Sequence, residues 1–256
     1  MENQAKLANQ YANVSTWQYH RGKRLIELAN PQKGETVLDL GCGTGQLTYE
    51  LAHRVMPSGK VIAIDPDGER LKVAKANLPT HLTNITFIES KAEQLSRIED
   101  ESINLIYSNY VIHWIPDKTL MLAEMARYLD LKGRCVIDMV GELMPFLREV
   151  SLLAGKSGKK LVDKFYCHTR EEWQTLFTQY GFQVKYAALP KLDFTFENLN
   201  HFFDWWEGTS HGLFLKNNLS EVTIDKLQQR FPDRVYFTGH AYQAIAKKSV
   251  IDELNG

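Results

Sequence analysis

Val37-Leu38-Asp39-Leu40-Gly41-Cys42-Gly43-Thr44-Gly45 is the stretch on which the reading of this chain turns. A short apolar run, Thr36 to Leu40, breaks into three alternating glycines. Gln46 to Met56 then carries apolar residues at helical spacing. That order predicts a strand, a tight bend and a helix. Glycines there let the backbone turn sharply and approach a ligand closely, because no Cβ stands in the way. The helix that follows opens with free N–H groups. The form of the loop is selective. A dinucleotide fingerprint wants its third glycine at position 46, which is Gln46, and no Gly-Lys-Ser/Thr triplet follows. The loop is therefore not built for a pyrophosphate. It carries an acid instead, Asp39, two residues before its first glycine.

Downstream the pattern repeats. Val61 to Ile64 reads as a second buried strand closed by Asp65, and Glu69 to Leu78 as a helix stopped by Pro79. Ile85 to Ile88, Ile103 to Ser108 and Arg134 to Val140 read as three more strands, with Lys118 to Leu129 helical and Leu131-Lys132-Gly133 a turn. Strands alternating with helices of this length predict βαβ units and a parallel sheet. An acid at the tip of the second strand can accept hydrogen bonds from both hydroxyls of a ribose. The loop and Asp65 together thus read as a nucleoside site without a phosphate. S-adenosylmethionine suits it, with Asp39 placed to attract the cationic parts of that molecule.

Beyond residue 140 the pattern is less regular. Glu142 to Leu153 reads as a helix and Gly155 to Lys160 as a basic loop. Thr169 with Glu172 makes a capping box for a helix to Tyr180, which Gly181 ends. Phe182 to Ala187 alternates like a strand, 195–231 reads as two helices rich in aromatics, and Val235 to Ala246 as a last strand.

Composition bounds the function. The chain has 256 residues, 44% hydrophobic and 24% charged, with a formal net charge of −1. It is long enough for one large α/β core. No basic excess invites nucleic acid. Three cysteines without CxxC spacing speak against a disulfide framework or a zinc site, and no other metal pattern appears. The polar N-terminus lacks an apolar signal core, and no apolar run reaches the roughly 20 residues of a membrane span. A cytoplasmic location is expected.

The segments VLDLGCGTG (37–45), VIAID (61–65) and INLIYSNYVIHWI (103–115) resemble motifs I, post-I and IV of class I S-adenosylmethionine-dependent methyltransferases. The resemblance spans about residues 36–140. It implies a Rossmann-like, doubly wound, mostly parallel seven-stranded sheet whose last strand is antiparallel, with helical cap elements. It implies a single domain over 1–256: an N-terminal lid at 1–30, a cofactor-binding core at 31–140, and C-terminal strands with a helical substrate cap at 141–256. Gly41, Gly43 and Gly45 would line the methionine and ribose parts, with Asp39 near the amino end. Asp65 would hold the ribose diol and Pro66 would lie near the adenine. Ala92 and Glu93 would edge the adenine, and Asn109 would face the reacting centre. Where many relatives have Gly-Asp-Ala this chain has Ser90-Lys91-Ala92, so the partner of the adenine amine is open between Glu93 and a backbone carbonyl. Strand four begins with Asn104 where relatives often have aspartate.

On the acceptor side, Tyr11 to Gln18 is similar to the lid of small-molecule carboxyl methyltransferases, including the juvenile hormone acid group. The His113-Trp114 pair resembles the trans-aconitate and malonyl-carrier enzymes. That likeness implies Tyr11 over the cofactor, with Gln18 and Trp114 gripping a carboxylate. His113 and Trp114 are equally open to a reading as packing against the next helix. A carboxylate needs no base, whereas a hydroxyl or amine would call on His113. The expectation is methyl transfer from S-adenosylmethionine to a small apolar carboxylic acid. The alternatives are O-, C- or N-methylation of a phenol, quinone-type or amine acceptor, or a non-catalytic cofactor-binding protein. A small-molecule acceptor is the expected partner, with the chain a monomer or homodimer.

Overall fold

A computed structural model describes residues 2–95 and 98–249. Two helices come first, α1 (Glu2–Val14) and α2 (Thr16–Ala29). Then strand and helix alternate: β1 (Thr36–Leu40), α3 (Gln46–Val55), β2 (Lys60–Asp65), α4 (Gly68–Ala76), β3 (Ile85–Glu89), β4 (Ile103–Asn109), a 3-10 turn (Ile112–Trp114), α5 (Lys118–Tyr128) and β5 (Leu129–Val140). The rest comprises α6 (Pro145–Leu153), α7 (Gly155–Val162), α8 (Arg170–Gln179), β6 (Phe182–Ala188), β7 (Lys191–Phe196), α9 (Leu199–Thr209), α10 (Glu221–Arg230) and β8 (Val235–Lys248).

The sheet runs β3-β2-β1-β4-β5-β8-β6. β1 to β5 are parallel, and β8 is antiparallel between β5 and β6. This is the Rossmann-like, mostly parallel sheet with an antiparallel last strand that the motifs imply. The order reverses at β1, flanked by β2 and β4, and a cleft opens at such a reversal, outside the strand tips. Alternation along the strands feeds two cores. Val37, Leu105, Tyr107 and Val136 pack under α2 and α3, while Leu38, Ile106 and Ile137 pack under α5 and α8. α8 starts in the expected capping box of Thr169 and Glu172.

Three expectations are corrected. Residues 155–160 form the first turns of α7 rather than a loop. Gly158 and Leu161 pack inward, and their burial overrides the poor helix propensity of two glycines. β5 begins at Leu129, so 131–133 belong to a strand: Gly133 is buried in the ladder region that a glycine usually interrupts. An eighth strand, β7, takes 191–196, including the two residues read as the start of a helix. β7 pairs with the first half of β8, whereas the second half of β8 lies between β5 and β6. Leu192, Phe194 and Phe196 of β7 help build a separate third core with α6, α7 and α9.

Candidate active site

The loop after β1 is fixed first by its backbone. Gly41 and Cys42 N–H both donate to Ile64 O, at 2.8 and 2.9 Å. Gly41 has φ +82°, and a Cβ there would lie 2.3 Å from the Val111 side chain, so no other residue suits that bend. Gly43 N–H donates to Asp65 Oδ2 at 2.9 Å, and Asp67 N–H to Asp65 Oδ1 at 2.9 Å. The Asp65 carboxylate thus ties the glycine loop to the β2 tip. Burial pushes its pKa up, with the Arg70 guanidinium opposing.

A cavity of about 760 Å³ lies across these strand tips. Gly41, Gly43, Asp65, Pro66, Ala92, Glu93, Asn109 and Tyr11 all stand on its wall. Lys91 and Glu89 stand there too. Asp39 borders a second, narrow cavity of about 40 Å³, shared with Tyr11, Gln18, Cys42 and Asn109. Thr48 Oγ1 donates to Asp39 Oδ2 at 2.6 Å, and burial raises the Asp39 pKa to about 7. Gly45 has φ +85°, and a Cβ on it would lie 2.9 Å from Ala74 Cβ and 2.9 Å from Tyr49 Oη, so its bareness lets α3 pack on α4.

The narrow cavity is rich in unanswered acceptors. Asn109 Oδ1 and Gln18 Oε1 are buried without a partner, although Asn109 Nδ2 donates to Gln18 O at 3.2 Å. Buried acceptors want donors. With Asp39 they suit an ammonium group, and the broad cavity beside them takes a nucleoside. The residues present therefore fit S-adenosylmethionine.

A third cavity, about 60 Å³, lies between the segment after β4, α2, the start of α6 and α9. Gln18, His113 and Trp114 all line it, with Trp17, Tyr110, Phe165, Trp205 and Trp206. Tyr11, Arg70, Tyr110, Trp114 and His211 border both this chamber and the broad cavity, so the two meet at those side chains. Val140 N–H donates to His113 Nδ1 at 3.4 Å, which leaves the imidazole proton on Nε2. The ring stacks on Phe165 at 5.2 Å. Burial, aided by the Lys118 charge, lowers its pKa to about 3. His113, so buried, is not an ordinary base near neutral pH. Tyr110 Oη and Trp205 Nε1 are buried without partners, whereas Trp206 Nε1 donates to Ser151 Oγ at 3.1 Å.

Sequence reasoning did not find Arg70 or His211. Arg70 stands 4.2 Å from the Tyr11 ring centre, with Asp67 Oδ2 at 3.6 Å and Gly208 O at 3.5 Å. Only the packing of α1 and α9 against α4 brings these together, and no local pattern around Arg70 signals it. Asn104 accepts from Thr36 N–H at 2.8 Å, so it secures the start of β1 rather than a ligand.

A family model described as a methyltransferase domain matches residues 31–181. Among curated proteins, a demethylmenaquinone methyltransferase of Lactococcus lactis subsp. lactis is 32% identical over 162 residues, covering 62% of each chain. A demethylmenaquinone methyltransferase of Staphylococcus aureus is 26% identical over 178 residues, covering 68% of this chain and 73% of that one. The match thus spans less than two thirds of the Lactococcus protein's length. Among solved structures, the YcgJ protein of Bacillus subtilis superposes with a TM-score of 0.66 at 19% identity, covering 90% of this chain and 99% of that one. This last likeness concerns the fold.

Proposed function

The chain belongs to the methyltransferase-domain family, and from that premise we propose that it moves the methyl group of S-adenosylmethionine onto an apolar, ring-bearing small molecule of the phenol or hydroquinone type. The observation that carries this reading is the aromatic chamber behind the cofactor cleft, with its few polar points. When bound, S-adenosylmethionine supplies an electrophilic methyl group that an in-line nucleophile displaces.

The chain's own part is alignment and exclusion of water. Asp65 and the glycine loop hold the nucleoside, and Asp39, Asn109 and Gln18 hold the amino end. Tyr11, reaching all three cavities, closes the passage between cofactor and acceptor. Trp114, Phe165 and Trp205 present flat faces to a ring. Tyr110 Oη, Trp205 Nε1 and the Nε2–H of His113 are donors for ring oxygens. With His113 held neutral, the acceptor does best arriving as an anion or an electron-rich ring, and Arg70 supplies positive charge at the boundary. The relatives' names, which concern a quinone precursor, agree with this acceptor class.

The carboxylate reading keeps one observation in its favour: Gln18 and Trp114 do line one chamber. The Lactococcus and Staphylococcus relatives are named for a quinone precursor, so that reading stands second. One experiment separates them. Methyl-labelled S-adenosylmethionine is offered with naphthohydroquinones, phenols and apolar acids, and the product is treated with mild alkali. Ring or ether label survives; ester label is released as methanol. Alkali-labile label on an acid, with none on any ring compound, would overturn the phenol-type reading.

A further inference from the structure

α6 and α7 form a hairpin that is part of the roof of the acceptor chamber. Met144 and Leu147, at the start of α6, and Phe165, just past α7, stand on the chamber wall. The hairpin is tightly closed, since a Cβ on Gly158 would lie 1.5 Å from Ser151 O. Ser151 also receives the Trp206 indole N–H, which ties the hairpin to α9.

Its outer side is unlike its inner one. Val150, Ala154 and Leu161 face the core. Leu152 and Leu153, at the corner of the hairpin, are 47% and 44% exposed. Immediately after them the outward positions of α7 and its continuation carry Lys156, Lys159, Lys160 and Lys164, all exposed, against one acid, Asp163, which Lys159 pairs at 3.0 Å. Over the whole chain the formal charge is only −1, so this positive stripe is a local feature. Two exposed leucines beside a lysine stripe on a short helix match an interface: apolar side chains for acyl boundaries, ammonium groups for phosphates.

We propose that the outer face of the α6–α7 hairpin docks on an anionic phospholipid surface, delivering the chamber to a membrane-dissolved acceptor. The proposal rests on the apolar acceptor argued above. The chamber, at about 60 Å³, is smaller than the roughly 150 Å³ cavity that takes a single benzene. It must widen to admit a ring, and the hairpin is a piece of its roof whose outer side chains are exposed. Leu152 and Leu153 at the interface, with the lysines along the headgroups, would set the roof against the phase in which an apolar acceptor is concentrated.

The test is co-sedimentation of the full chain with vesicles of phosphatidylcholine alone and of phosphatidylcholine mixed with phosphatidylglycerol. Binding is expected to the mixed vesicles only, and to weaken with salt. Lys159→Ala with Lys160→Ala should lower partition by roughly tenfold or more. Leu153→Ser should lower it with every lysine in place. Melting temperature and S-adenosylmethionine binding of these variants should equal those of the parent, which excludes misfolding. Equal binding to both vesicles, no binding, or vesicle binding indifferent to the variants would overturn the docking surface. So would retention on a nucleic acid or an acidic peptide without retention on vesicles. The vesicles contain no acceptor, so failure here leaves the methyl-transfer reading standing. Vesicle binding without methylation of any ring compound would sink the acceptor class instead.

Discussion

Asp39, next to last in β1, and Asp65, last in the neighbouring β2, both precede a loop, yet their surroundings set them different tasks. Asp65 accepts two backbone N–H groups and keeps faces toward the broad cavity. Asp65→Ala should raise the Kd for S-adenosylmethionine on the order of 100-fold, read by calorimetry, because it removes hydrogen bonds to an ion and loosens the glycine loop. Asp39 has one hydroxyl donor and is otherwise buried, which lifts it from 3.8 to about 7. Between those values the native chain binds a proton that the unfolded chain releases, so this group's contribution to stability is present in acid and is lost as pH rises toward 7. Cation binding runs the other way, since it needs the carboxylate. The Kd for S-adenosylmethionine should therefore fall about tenfold between about pH 6 and pH 7.5. Asp39→Asn should bind weakly, with no such slope. His113 predicts the opposite of a usual base. With its pKa near 3, the kcat profile should show no histidine limb between about pH 5 and 8, and a limb near pH 6.5 would return His113 to the role of base.

At the scale of elements, α2 is held to β5 by a buried ion pair. Arg21 Nη2 meets Asp138 Oδ2 at 2.6 Å, and the Asp138 side chain is fully buried. Burial still leaves Asp138 at about 6, with Arg21 holding it down. Removing one partner of a buried pair costs about 3 kcal/mol or more. Arg21→Ala should show that loss in denaturant melts near pH 8 and a smaller one near pH 5, where Asp138 can take a proton. A loss that does not depend on pH would mean that the stacking of the guanidinium, whose carbon lies 5.6 Å from the Trp17 ring centre, matters more than its pairing with Asp138. The same pair shows a link that the sequence does not display. Arg21 and Asp138 are 117 residues apart, and nothing local links them. The hairpin α6–α7 was misread for a related reason. Gly155 and Gly158 resemble loop residues, and only the closeness of Ser151 shows that Gly158 is chosen for contact.

At the scale of the molecule, α1 lies against both α4 and α9, with Tyr11, Arg70 and Gly208 at the junction. A ligand in the broad cavity touches the walls that these elements share. S-adenosylhomocysteine at about 100 times its Kd should stabilise the chain by about 2.7 kcal/mol. Hydrogen exchange should slow in α1 and α9 as well as in the glycine loop. Slowing restricted to the loop would show that α1 is a fixed wall and takes no part in closure.

The sequence alone determined the alternation of strands and helices from residue 36 to 140, the glycine bend, the two acids near the strand ends and the class of cofactor. Each is a local matter, carried by hydrophobic period, by a conformation that only glycine adopts readily, and by spacings of a few residues. The tertiary structure decided what long-range packing controls. It paired β7 with β8, placed Arg70 under Tyr11, and set Gly45 where α3 packs on α4. It also buried His113 beside Phe165, which pulls its pKa down. These outcomes depend on which distant side chains exclude water from one another, and a pKa or a cavity wall has no signature in neighbouring residues.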